Sequence, residues 1–168
     1  MSERVRQVVL VAIACLVLGT LNVMIYQKEE TLREGKGMLL ELAPVDPRSL
    51  MQGDYMVLRY KLSRELRADS LPLDGHLVMA LDEQGVATYR RPHGPNESLA
   101  PGEHLLRYRR RGDTLRLGAE SFFFQEGNAK YYGGAKYGEL RVVENGDSVL
   151  AGLRGKELEK LGPGTGKD

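Results

Sequence analysis

The chain reads as a mainly β protein, an N-terminal transmembrane helix followed by a compact extracytoplasmic β sandwich or partly closed barrel. Three observations predict this. One unbroken apolar run lies near the N-terminus, from Val8 to Tyr26. From Met38 onward the chain breaks into short runs divided by Gly, Pro, Asp and Asn, several alternating apolar and polar with period two. No later stretch sustains the 3.6-residue period of an amphipathic helix.

The apolar run, VVLVAIACLVLGTLNVMIY, has Thr20 and Asn22 as its only clearly polar members. At about 1.5 Å per residue, a helix of that length matches the roughly 30 Å hydrocarbon layer of a bilayer. Arg4 and Arg6 precede it, and Lys28, Glu29 and Glu30 follow. The positive-inside rule therefore places residues 1–7 in the cytoplasm and the rest beyond the cytoplasmic membrane, in the periplasm or extracytoplasmic space. The exit Val-Met-Ile-Tyr lacks the small-x-small pattern of a cleaved signal peptide. AIAC lacks the usual Leu ahead of a lipidated cysteine, so Cys15 reads as a small apolar residue inside an uncleaved signal anchor spanning 8–26. As the sole cysteine, it also excludes an intrachain disulfide.

Residues 27–37 are charged and form a stalk, able to continue the helix until Gly35 and Gly37 stop it. The β domain is expected over 38–153. Its strand-like runs are MLLEL, YMVLRYKL, HLVMAL, VATYRR, HLLRYRR, TLRLG, SFFFQ, ELRVV and SVLAGL. Two segments, 75–91 and 138–154, each read as strand, polar turn with Gly, strand, which is the pattern of a hairpin. Residues 90–101 (RRPHGPNESLAP) have the composition of a long exposed loop. Residues 154–168 are charged and end in a Gly-rich stretch, the composition of a disordered tail.

With 168 residues there is room for one folded domain, and a net charge of +1 gives no electrostatic case for nucleic acid. No Gly-rich phosphate loop precedes a helix and no HExxH occurs, so no cofactor is implied. His76, His93 and His104 lack ligand spacing, which makes exposed histidines the expectation and a metal site not one. The arginines at 107–111 alternate with Leu106 and Tyr108. A solvated strand face accounts for them more economically than contact with anionic lipid or a partner. Phe122-Phe123-Phe124 reads as core with one ring turned outward.

The densest polar chemistry lies in PVDPRSLMQGDYMVLRYKL, Pro44 to Leu62. Ser49-Leu50-Met51, on a membrane-anchored β domain, is similar to the setting of the nucleophile in signal peptidases. Such a serine needs a base, normally a Lys whose pKa burial has lowered. The best-placed downstream segment, RYRRRGDTLRL, offers Arg instead, which stays protonated. Lys61, Lys130 and Lys136 are the remaining candidates, and a Ser bracing a turn is the commoner case.

Gly53-Asp54-Tyr55-Met56-Val57-Leu58-Arg59-Tyr60 spells out the pattern of the GDYXXLXY family of bacterial membrane-anchored proteins. The lead-in Asp46-Pro47-Arg48-Ser49-Leu50 also resembles that family. So do an aromatic strand running into Glu126-Gly127 and a final hairpin, and the likeness covers about 8–154. The resemblance implies one transmembrane helix and an extracytoplasmic β domain, companion to a multi-span membrane protein of the inner membrane. It implies no catalytic residues. The positions matching the pattern are Asp46, Pro47, Arg48, Gly53, Asp54, Tyr55, Leu58, Tyr60 and Glu126.

Physical chemistry gives these residues provisional roles. Pro47 keeps Asp46 extended and fixes the start of a turn. Arg48 is able to fork onto the carboxylate of Asp54 or Glu126. Gly53 re-aims the chain into the strand. Along that strand Met56, Leu58 and Tyr60 share the better core face, while Tyr55, Val57 and Arg59 share the other. The expectation is a non-enzymatic anchored module that docks on an integral membrane protein or envelope component through the 46–55 turn and the loop at Glu126. The alternatives are a membrane-anchored serine hydrolase using Ser49 and a ligand-sensing domain.

Overall fold

The structure, a computed structural model, describes residues 2–44, 51–52 and 55–164. Asp46, Pro47, Arg48, Ser49, Gly53 and Asp54 lie outside the described residues.

A single helix, α1 (Glu3–Glu34), carries the apolar run and is long and apolar enough to cross a membrane. Its 32 residues extend about 48 Å, well beyond the roughly 30 Å a bilayer core requires. Its apolar side chains are exposed, so the protein offers them no core of its own. The polar members of the run are satisfied within the helix: the Thr20 hydroxyl donates to the Leu16 carbonyl (2.8 Å) and the Asn22 amide to the Leu18 carbonyl (2.9 Å). Hydrocarbon offers no other partner for such groups.

The helix stops at Gly35, whose N–H donates to the Thr31 carbonyl at 2.9 Å. A side chain there would come within 3.0 Å of the Arg141 backbone and Cβ, so glycine lets the helix end lie against the β body.

Among the described residues strands occupy 36% against 28% in helix, which makes the protein mainly β, and the β-rich part includes a curled half-barrel sheet. Among those residues three antiparallel sheets build it. The first joins β1 (Lys36–Glu41) to β9 (Tyr137–Val142) and β10 (Ser148–Arg154), with β9 central. The second holds β2 (Met51–Gln52), β3 (Tyr55–Val57) and β8 (Ser121–Phe123), with β3 central. The third orders β5 (Ala87–Pro92), β4 (Asp74–Leu81), β6 (Glu103–Arg111) and β7 (Thr114–Arg116). A bridge from Leu39 to Val86 ties the first sheet to the third, and one from Leu42 to Tyr60 ties it to the motif segment.

All three sheets send side chains into one core. It includes Leu40 and Leu140 from the first, Met56 from the second, and Leu77, Leu106 and Tyr108 from the third. The two Gly-turn hairpins are present as β4–β5 and β9–β10, with Gly85 and Gly146 at positive φ in their turns. Asp82 fastens the first turn by accepting from the N–H groups of Gln84 and Val86.

Three local expectations differ from the structure. The run YMVLRYKL is strand only through Val57; after Tyr60 the chain turns into a short helix, α2 (Lys61–Glu65). Leu62 and Leu66, four apart, pack one face of that turn on the core, which a strand could not arrange. Where composition suggests a tail, residues 155–162 double back along β10. Arg154 pairs with Lys160 across a bridge, and the Leu161 N–H donates to Leu153 (3.0 Å). The three histidines are half-buried rather than exposed: the rings of His76 and His93 stand 6.5 Å apart, and His104 accepts from the Lys36 ammonium at 3.0 Å.

Candidate functional site

The motif segment divides its residues between two jobs. Met56, Leu58 and Tyr60 are buried, with 2%, 3% and 2% of their surface exposed. Tyr55 and Val57 are half-exposed, and Arg59 is exposed. The period-two alternation thus persists to Tyr60 even though the paired strand ends at Val57. The Tyr60 hydroxyl donates to the Ala119 carbonyl at 2.8 Å. Burial, and next the nearby Glu120 carboxylate, raise its pKa well above the ordinary tyrosine value, so this hydroxyl is a fixed donor. Gly138 on β9 makes room for the ring, since a Cβ there would stand 3.0 Å from both its Cε1 and its hydroxyl oxygen. Leu58 and Tyr60 are therefore parts of the frame.

Tyr55 is different. It pairs with Phe123 across β3 and β8, and their rings stand 5.6 Å apart. Phe122 and Phe124, on the opposite parity, pack on Tyr132 with ring centroids at 4.9 and 5.3 Å. Phe123 is left 73% exposed on β8, the edge strand of its sheet. Glu126 follows in an exposed turn before Gly127 at φ +82°, and no ion pair holds it among the described residues. The carboxylate clasp expected from Arg48 has its donor and its nearer acceptor, Asp54, outside the described residues.

Beside this aromatic edge runs a groove of about 1360 Å³. Residues 57–60 and α2 form one wall, and β7 with Glu120 and Ser121 forms the other. Leu58, Leu66 and Leu115 line it, and Arg59, Arg64, Arg67 and Arg116 contribute cations. A groove of this size and mixed character suits an extended or amphipathic chain better than a small cofactor, for which pockets of about 300–1,000 Å³ are usual. The groove arginines on and beyond α2 went unnoticed in the sequence. Arg67 lies past the extended C-cap Leu66, and a helix of five residues is too short for its period to show in the sequence.

The lysines considered as a base for Ser49 are surface groups, and every lysine among the described residues is exposed. Lys61, nearest in sequence to Ser49, donates to Glu41 at 2.9 Å, and that bond raises its pKa, the opposite of what a general base requires. Lys130 lies over the Tyr131 ring at the surface. Among the described residues no group of His, Cys, Asp or Glu side chains is placed to hold a metal ion.

The densest ionic contact lies away from the motif. Arg91 donates through Nε to Glu97 (2.7 Å) and through both terminal nitrogens to Glu103. The same glutamates accept from the N–H groups of Gly94 and Ala100. One guanidinium thereby organises both ends of the 93–102 loop. The partners are spaced six and twelve residues apart, a pattern no local sequence signal announces.

Comparison with known proteins adds one match: the family model described as GDYXXLXY protein fits residues 17–153. Neither a curated protein nor a solved structure matches the chain.

Proposed function

We infer a role from one premise: the chain belongs to the GDYXXLXY protein family. It acts as a non-enzymatic, single-span anchored module, with its N-terminus in the cytoplasm and its β body in the periplasm or extracytoplasmic space. The body docks on an integral membrane protein or envelope component. The contact centres on the Tyr55–Phe123 edge and takes in the 46–55 turn and the Glu126 loop.

The observation that carries this reading is Phe123. A ring 73% exposed on a β edge, flanked by two rings that pack inward, is a large apolar anchor without a cover. Aromatic anchors beside charged rims are what protein interfaces concentrate. Supporting it is position: Phe123 pairs in register with the first tyrosine of the motif, so the motif presents this edge as well as bracing the core.

A photo-reactive phenylalanine analogue at position 123 tests this in native membranes. Irradiation is expected to yield an adduct with an integral membrane protein, absent when the analogue stands at the comparably exposed Leu73. Equal adducts at both positions, or none at 123, would overturn the reading. Orientation is tested separately: protease outside sealed spheroplasts is expected to digest the β body.

A further inference from the structure

We propose that the outward face of β6 and β7, together with Lys28 of α1, seats the anionic phospholipid headgroups of the bilayer that α1 crosses. Arg107, Arg109 and Arg111 alternate along β6 and are exposed, while Leu106 and Tyr108 between them are buried. Arg116 on β7 pairs directly opposite Arg109, so it joins the same face. Like charges directly opposite each other destabilise a sheet unless something neutralises them. Lys28 lines the same cleft, of about 400 Å³, with these four arginines.

Carboxylates answer only part of this charge. Arg107 pairs with Asp147 at 3.0 Å and Arg109 with Asp74 at 3.3 Å. The Glu120 carboxylate in the cleft is held by the N–H groups of Leu117 and Gly118. Lys28, Arg111 and Arg116 have no carboxylate partner within ion-pair distance among the described residues. A solvated strand face explains isolated arginines; it does not explain cations from a sheet and a separate helix lining one cleft in excess of its acids.

Depth then selects the anion. Lys28 lies two residues beyond Tyr26, the last of the apolar run, a rise of about 3 Å along the helix. The headgroup layer on each side of the hydrocarbon is about 5–7 Å thick. With 8–26 filling the hydrocarbon, Lys28 and the cleft it lines stand at the level of the phosphates. Arginine forks onto phosphate oxygens, and basic groups at an anionic surface add their attraction within a Debye length.

The proposal rests on α1 as a membrane span and is independent of the Phe123 contact. Its test uses the full chain in nanodiscs, with Thr114→Cys on a Cys15→Ser background carrying a fluorophore beside Arg111 and Arg116. The lipids are phosphatidylcholine alone or mixed with phosphatidylglycerol, each with a headgroup-attached quencher. Phosphatidylglycerol is expected to raise quenching at least twofold at low salt, with the gain lost at high salt. Arg111→Gln with Arg116→Gln should abolish the gain, and Arg111→Lys with Arg116→Lys should keep most of it. Equal quenching in both lipids, or a gain that survives the Gln pair, would overturn the proposal. So would a gain erased by millimolar inorganic phosphate at constant ionic strength, which would mark a site for free phosphate. A chain that fails to co-elute with nanodiscs would remove the anchor itself, and the proposal with it.

Discussion

Tyr60 and Tyr55 share a motif and differ in what a substitution should do. Tyr60→Phe removes the donor to the Ala119 carbonyl and leaves a buried acceptor unsatisfied. Urea unfolding of the full chain in detergent should show a loss of about 1–2 kcal/mol. Tyr55→Ala removes the ring contact with Phe123, should cost about 0.5–1.5 kcal/mol, and should lower the yield of the adduct at position 123. Ser49→Ala should leave both untouched; loss of a membrane-bound hydrolytic activity in that variant would restore the nucleophile reading. Glu139 offers a structural contrast, being buried beneath Arg154, whose Nε donates to it at 2.8 Å. Glu139→Gln should cost about 2 kcal/mol, since it leaves that guanidinium without its charged acceptor.

At the scale of elements, legibility followed the range of the interactions. The alternation of Met56, Leu58 and Tyr60 and the turn chemistry of the two hairpins are local, and each is plain in the sequence. The helix at 61–65 was not, because five residues are too few for a period to declare itself against a preceding strand pattern. The Arg91 clasp depends on three residues that only the folded loop brings together. Its loss is readable: Arg91→Met should speed proteolytic cleavage within 93–102 several-fold while the rest of the body stays resistant. The candidate site was legible in part. The motif located its strand, but the 46–49 and 53–54 half lies outside the described residues, and the groove arises from β7 and α2, which the motif does not contain.

For the whole molecule, the shifted groups set a pH profile. The carboxyls of Glu97, Glu103 and Glu139 lie below the ordinary glutamate value, each chiefly through hydrogen bonds they accept. Their contribution is full above the ordinary value and is lost as pH falls through the lowered ones. Burial, with Lys36 second, lowers His104 from 6.5, so the unfolded chain binds its proton first and stability begins to fall as pH drops below about 6.5. Tyr60 acts at the other end: its raised pKa leaves stability intact below about 10 and eroding above it, as the unfolded tyrosine ionises. Unfolding midpoints measured from pH 4 to 11 should therefore trace a plateau with an acid shoulder and an alkaline shoulder. A Tyr60→Phe chain should lose most of the alkaline one.

The close seat of Gly35 on β9 carries a mechanical consequence. Because α1 runs unbroken to Glu34 and then abuts the Arg141 backbone, there is no hinge between rod and head. Residues 27–34 carry the chain about 12 Å past the apolar run to the start of β1, while the β6–β7 cleft reaches back along the helix to Lys28, so a rotation of the rod turns the head with it. A partner would then meet this protein as a flag on a stiff pole, searching a plane at fixed height and finding its match by azimuth. Gly35→Leu should unfasten the pole from the flag. Amide exchange should quicken at 31–37 and 139–142 while the body stays folded, and the adduct at position 123 should fall with it.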